Sequence, residues 1–386
     1  MHIYVPKECF PGEARVAATP ETTEKLVAHG HRVTVESGAG ARAHLTDGAY
    51  EKHGATIADD PKTAWGEADA VLKVRGLREH PELGHEADLM KEGALLLALC
   101  APHRELDAVR RMRDRSISAL ALELIPRITR AQSMDVLSSQ ASVAGYKAAL
   151  VAAFHLDKHF PLMMTAAGTI QPARVVVMGA GVAGLQALAT AKRLGATVEV
   201  SDIRPEVEEQ VESLGGKFID LPMEESGSGE GGYAKEMGED FLTRQRAIVK
   251  ERLSHADAAI CTALIPGRKA PTLIDASMVE AMRPGSVIVD LAVESGGNCE
   301  LSEADSTVEA HGVTILGPSN LAATMPLDAS LMFARNVLTL FEHVTDGEAL
   351  ALELEDEVVD PTLLVHDGEV RHEPTREALD EEGAAA

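Results

Sequence analysis

Short apolar runs alternate along this chain with segments whose apolar residues recur at helical spacing. Runs of strand length stand at His2 to Val5, within HRVTVESGAG from His31, at ATI (55–57), within ADAVLKVRG (68–76), within GALLLALC (93–100) and within SISALALELIP (116–126). Alternation of this kind predicts an α/β fold, a parallel sheet with helices on both faces. The first helix has a legible start at Thr19-Pro20-Glu21 and a stop at Gly30.

A longer helical pattern begins near Met134, with an apolar face of Val143, Ala144, Ala148, Val151 and Ala152. The polar run before it, Arg127 to Asp135, is too short for an interdomain linker and reads as a shaped loop. This helix is predicted to cross from a first domain into a second. A helix from Thr324 to Val344 is predicted to return the chain, making the first domain discontinuous. The expected architecture is therefore two Rossmann-like, doubly wound parallel-sheet domains joined by long crossing helices. The boundaries fall at 1–134 with 325–386 for the first domain and 135–324 for the second. In the tail, Asp367-Gly368 reads as a hairpin turn, and residues 375–386 read as an acidic, disordered end.

The second domain opens with RVVVMGAGVAGLQALATAKRLGATVEVSD, from Arg174 to Asp202. This is strand, glycine turn, helix, strand and carboxylate. Gly179 permits a tight turn, Gly181 lets the backbone approach a pyrophosphate, and Gly184 lets helix and strand pack closely. The helix N-terminus then offers unpaired N–H groups to the anion. Asp202 can accept hydrogen bonds from both ribose hydroxyls and would repel a 2′-phosphate, which predicts NAD(H) in preference to NADP(H).

Beyond the next helix and strand, periodicity stops. PMEESGSGEGGYAKEMGEDF, from Pro222 to Phe241, reads either as a disordered surface insertion or as a mobile lid carrying one aromatic, Tyr233. Gln245 follows at the start of a helix. Buried strands within ADAAICTALIPG (256–267), GSVIVDLAVESGGNCE (285–300) and VTILGPSNL (313–321) complete the sheet. Their glycine-rich exits place Leu264 and Gly296-Gly297 near the nicotinamide end.

Composition narrows the function classes. The 386 residues suffice for two cores, and no apolar run reaches the length of a membrane span. The N-terminus enters a strand directly, with no export signal. Four scattered cysteines fit neither a disulfide framework nor a zinc site, which predicts reduced thiols in a cytoplasmic protein and no metal. A net charge of −25, from 61 acidic and 36 basic residues, argues against nucleic-acid binding. Arg15 and Lys73, near strand or loop ends of the first domain, read singly as solvated or ion-paired surface residues. As a pair they could instead hold a keto-acid carboxylate.

RITRAQSMDVLSSQASVAGYKA, the glycine-turn segment continued to GGKF, GYAKEM, TALIPG and GSVIVDLAVESGGNCE together resemble the NAD(H)-binding component, domain I, of proton-translocating NAD(P) transhydrogenase. The resemblance runs from the first strand to about Glu369, within the alanine dehydrogenase/transhydrogenase family. It implies that Arg127, Gln132 and Asp135 form the loop presenting the nicotinamide. It places Ser138, Gly179, Gly181, Val182, Gly184, Asp202, Arg204, Gly232, Tyr233, Gln245 and Leu264 around the cofactor. It also implies NADP(H) on a partner subunit, a membrane subunit that moves protons, and a homodimer. Membrane attachment, at the inner face of the cell membrane, would come only through those partners.

Alanine dehydrogenase is the nearest alternative in that family. Arg15 and Lys73 match its carboxylate- and carbonyl-binding cations, but its histidine position is Leu99 and its aspartate position is Glu294. Without a group titrating near neutrality, the obvious acid–base catalyst is missing. Direct hydride transfer between two nicotinamides needs only positioning. A non-catalytic NAD-sensing subunit is the third reading.

Overall fold

A computed structural model describes residues 1–221, 239–264, 268–347 and 349–385. Two compact units divide at 140/141 and 322/323, Met1–Gln140 with Ala323–Ala386 and Ala141–Ala322. The sequence pattern puts those boundaries at 134/135 and 324/325. The first falls six residues later because the opening turn of helix Val136–His155 contributes Val136 to the first unit's core.

In the first unit, strands 56–58, 32–36, 2–5, 70–75, 95–99 and 118–121 lie side by side in that order, all parallel. Numbered along the chain and passing over a two-residue hairpin at 79–85, this is 3-2-1-4-5-6, the Rossmann order. The apolar runs have no polar face because alternate residues enter two different cores. Ile3, Val5, Leu95 and Leu97 point into one, while Tyr4, Leu96 and Ala98 point into the other. Tyr4 meets Trp65 edge to face at 5.4 Å in the second.

Helix Pro20–Ala28 begins as expected: Thr19 caps it in a reciprocal pair with Thr22, and Gly30 turns away with φ +91°. The tail hairpin, strands 363–366 and 369–370, adds antiparallel to the 118–121 edge. Asp367 and Gly368 both take positive φ, the backbone of a tight hairpin turn.

The end of the chain corrects the expectation of disorder. Residues Glu373–Ala385 form a helix, with Thr375 and Leu379 buried and Glu382 paired to Arg110. Leu379 belongs to the same core as Tyr4. A single apolar anchor in an acidic segment is enough to dock it, and composition averages that anchor away.

The second unit repeats the order: 217–218, 197–201, 174–178, 258–261, 287–290 and 313–316 run parallel, with 307–310 antiparallel at the edge. Val175 and Val177 enter one core, Val176 and Met178 the other. An exposed hairpin at 163–165 and 168–170, which no pattern in the sequence marks, precedes this sheet. Among the described residues no helix is long and apolar enough to cross a membrane, and all four cysteines are free.

Candidate functional site

In the second unit the strand order reverses between strands 174–178 and 258–261, and in open parallel sheets ligands bind outside the carboxyl ends at such a reversal. The glycine turn leaves the first of these strands there. Gly179 adopts φ +99°, a conformation that penalises any side chain. Gly181 has ordinary dihedrals, and a Cβ built on it would meet nothing within 4 Å. Its role is space beside the backbone rather than an unusual fold.

Gly184 is packed shut. A Cβ there would lie 1.8 Å from the Gly179 carbonyl oxygen and 2.9 Å from Thr262 Oγ1. Helix Val182–Arg193 has Gly181 at its N-cap and no side-chain cap, leaving its first N–H groups aimed into that space. These features fit a pyrophosphate. Val182 is exposed beside them.

Asp202 sits one residue past strand Thr197–Ser201 and is 8% exposed. It ties the turn together by accepting from the Ala180 N–H at 2.6 Å. Arg204 reaches it three ways, through its backbone N–H (2.9 Å), Nε (2.9 Å) and Nη2 (2.8 Å). The sequence places both residues at the cofactor without showing that they hold each other.

Two further residues shape the strand exits and escape sequence reasoning. Thr262 Oγ1 donates toward the carbonyls of Met178 and Gly179, both at 3.1 Å, and so braces the turn from the neighbouring strand. Asn298, fully buried, accepts from the Ala263 N–H and donates to the Ala263 and Pro271 carbonyls, each at 2.9 Å. Both lie in segments that carry the family resemblance, which was the available signal. A third close approach is on helix Val136–His155, where a Cβ on Gly145 would stand 2.1 Å from the Ala183 carbonyl oxygen. Leu264 is 44% exposed at the same exit, and Gln245 is buried on helix Glu239–Ser254. Gly232 and Tyr233, and most of the segment read as lid or insertion, lie outside the described residues.

In the first unit, Arg127, Gln132, Asp135 and Ser138 line one open recess of about 320 Å³ with Pro126 and Ile128. The loop that holds them is a 3₁₀ turn, Thr129–Met134. Asp135 accepts from Ser138 N–H (2.9 Å) and Ser138 Oγ (2.6 Å), which is the capping arrangement a helix start asks for. Asp135 and Ser138 thus fix the turn. The Gln132 side-chain amide is exposed and has no hydrogen-bond partner among the described residues.

Taken singly, Arg15 and Lys73 read from the sequence as surface cations, and the structure corrects this. Both are buried, at 4% and 1% exposure, around the strand-order reversal of the first sheet. Arg15 Nε and Nη2 each lie 2.7 Å from a different oxygen of Glu13, and its Nη1 donates to Gln140 Oε1 at 2.9 Å. Lys73 Nζ lies 2.7 Å from Glu86 and 3.6 Å from Glu8. Burial pushes the Glu8 carboxyl up to about 7, against the pull of the Lys73 ammonium. Burial also opposes the Lys73 charge, but the two carboxylates override it and hold that pKa above the usual lysine value.

A cation so placed is part of the core. Lys73→Met is expected to leave two buried carboxylates without their counter-charge and to destabilise the protein by about 3–5 kcal/mol, read by urea unfolding. NADH affinity of the folded variant should stay unchanged. A loss below about 1 kcal/mol, the range of an exposed pair, would contradict this placement. Leu99 closes strand Leu95–Leu99, half-buried, and Glu294 is exposed in the turn Val293–Ser295.

Comparison with known proteins matches residues 4–144 to the N-terminal domain and residues 148–373 to the C-terminal domain of the alanine dehydrogenase/PNT family. The chain is 51% identical over 376 residues to the first of the NAD(P) transhydrogenase subunit alpha chains of Rhodospirillum rubrum, covering 96% of this chain and 98% of that protein. A crystal structure of transhydrogenase from Sinorhizobium meliloti superposes with a TM-score of 0.85 at 45% identity, over 96% of this chain and all of that one. Alanine dehydrogenase of Bacillus subtilis is 28% identical over 405 residues, spanning both chains completely.

Proposed function

The chain belongs to the alanine dehydrogenase/PNT family, on its transhydrogenase alpha-subunit side, and from that premise we propose that it binds NAD(H) and passes hydride directly to NADP+ held by a partner subunit. The observation that carries the reading is the uncapped helix beyond Gly181, with open space at that glycine and Asp202 tied to the same turn. When bound, NADH supplies the hydride from C4 of its nicotinamide.

The remaining work is positioning, and this chain's residues divide it. The helix N-terminus takes the pyrophosphate, Asp202 takes the adenosine ribose, and Arg127, Gln132 and Asp135 handle the nicotinamide. The Gln132 amide can both donate to and accept from a carboxamide, which fixes ring rotation. Reacting atoms must be brought to about 3 to 3.5 Å. Asp135, tied down by Ser138, keeps the turn in place.

On this reading the protein alone catalyses no net transhydrogenation. It assembles as a homodimer with an NADP(H)-binding subunit and a membrane subunit that couples transfer, with Si/Re stereospecificity, to proton translocation. It lies in the cytoplasm against the inner face of the cell membrane and touches the bilayer only through those partners.

An alanine dehydrogenase reading is disfavoured by Leu99 and Glu294 at its histidine and aspartate positions, and by the lower identity to that enzyme. One paired assay separates the readings. The protein is mixed with NADH and an NADP+-loaded transhydrogenase domain, and separately with NADH, pyruvate and ammonia. NADPH formation in the first mixture alone is expected. NADH consumption in the second at ordinary enzymatic turnover would overturn the proposal, and NADH binding without either reaction would indicate a sensor.

A further inference from the structure

The carboxylate that should receive the adenosine ribose is already saturated. An ionised carboxylate offers about four acceptor positions, and Asp202 uses Oδ1 for the Arg204 N–H and Nε and Oδ2 for the Ala180 N–H and Arg204 Nη2. A ribose diol brings two more donors to the same two oxygens. Something must yield.

Two of the four donors are backbone N–H groups, fixed by the glycine turn and by the chain leaving strand Thr197–Ser201. The other two belong to one guanidinium on a side chain that retains 14% exposure, against 5% for the Asp202 side chain. Only that group can leave without refolding the turn. A guanidinium fork and a vicinal diol also present the same pattern, two adjacent donors directed at the two oxygens of one carboxylate.

We propose that Arg204 is a built-in competitor for the adenosine ribose: its guanidinium occupies the diol's place on Asp202, and dinucleotide binding exchanges one pair of hydrogen bonds for the other. The inference rests on the NAD(H) reading above and adds a residue that sets affinity by opposing it. Asp202 is thereby never left as a buried carboxylate without donors, whichever partner it holds. Part of the binding energy at the adenosine end is spent on displacing Arg204. Affinity is correspondingly moderate, which suits a subunit that must exchange its nucleotide in each turnover.

The competition acts only on ligands that carry the adenosine ribose. Arg204→Met keeps the length and packing of the stem and removes the donors. It is expected to bind NADH and ADP-ribose about five- to tenfold more tightly, with reduced nicotinamide mononucleotide unaffected. Arg204→Lys, with a charge but no fork, should fall between wild type and Arg204→Met. Titration calorimetry of the three ligands against the three full-length proteins reads the effect. Unchanged or weaker NADH and ADP-ribose binding in Arg204→Met would overturn the inference, as would equal tightening for the mononucleotide. Should Arg204→Met fail to fold, Arg204→Lys decides: tighter ADP-ribose binding supports the exchange, and none refutes it. Failure of wild-type protein to bind NADH at all would instead refute the underlying reading.

Discussion

Gly184→Ala is expected to weaken NADH binding about 100-fold and to lower stability by about 1–3 kcal/mol. The methyl carbon would start 1.8 Å from the Gly179 carbonyl oxygen, so the turn or the helix must retreat by more than about 1 Å to restore a normal contact. Neither can do so cheaply. The turn is held by Thr262 from one strand and by Asp202 through Ala180. The helix retreats with its N–H groups, and losing two charge-assisted hydrogen bonds to a pyrophosphate costs about 3 kcal/mol.

Gly181→Ala separates the two effects. Nothing lies within 4 Å of its built Cβ, so this variant should unfold at the wild-type urea concentration while its methyl group takes space meant for the phosphate. NADH fluorescence titration and urea unfolding of both variants provide the check. Full affinity in Gly184→Ala would show that the turn does not hold the nucleotide.

Gln132→Asn should have the second largest effect, on rate rather than affinity. The substitution keeps the amide and withdraws it by one methylene, and a misplacement of about 1 Å can slow a positioned reaction on the order of 100-fold. Because the Gln132 side chain is exposed and hydrogen-bonds to none of the described residues, fold and stability should be preserved. Most of the affinity resides at the pyrophosphate and adenosine ribose, so the Kd for NADH should remain within about twofold. Stopped-flow single turnovers with an NADP+-loaded partner measure the step. Unchanged single-turnover transfer would remove Gln132 from the nicotinamide loop.

How much of this is legible in the sequence depends on whether a feature is local. The strand, glycine turn, helix and carboxylate from Arg174 to Asp202 are contiguous, and each glycine has its own backbone or packing demand, so the site can be read directly. Thr19 and Gly30 at the ends of the first helix, and Asp367-Gly368 at the tail hairpin, are local in the same sense.

What stays hidden depends on distant pairing. Nothing in the spacing of Glu8, Lys73 and Glu86 announces a buried ionic cluster, because the fold brings the three together at a strand-order reversal. Thr262 braces a turn more than eighty residues earlier in the chain. The terminal helix reads as disorder because its acidic composition outweighs one buried leucine in any local average, whereas the docked helix is held by that leucine. Arg204 is only two residues from Asp202, yet its grip on that carboxylate is a matter of rotamer and approach that spacing does not encode.

The central claim is that hydride moves directly from NADH on this chain to NADP+ on a partner, with no proton-handling side chain between them. NADH carrying deuterium at the transferred C4 position, mixed with this protein and an NADP+-loaded partner domain, tests it most directly. The account predicts NADPH bearing the full label at its C4 and none released to water. Label appearing in solvent, or NADPH formed without it, would contradict the account.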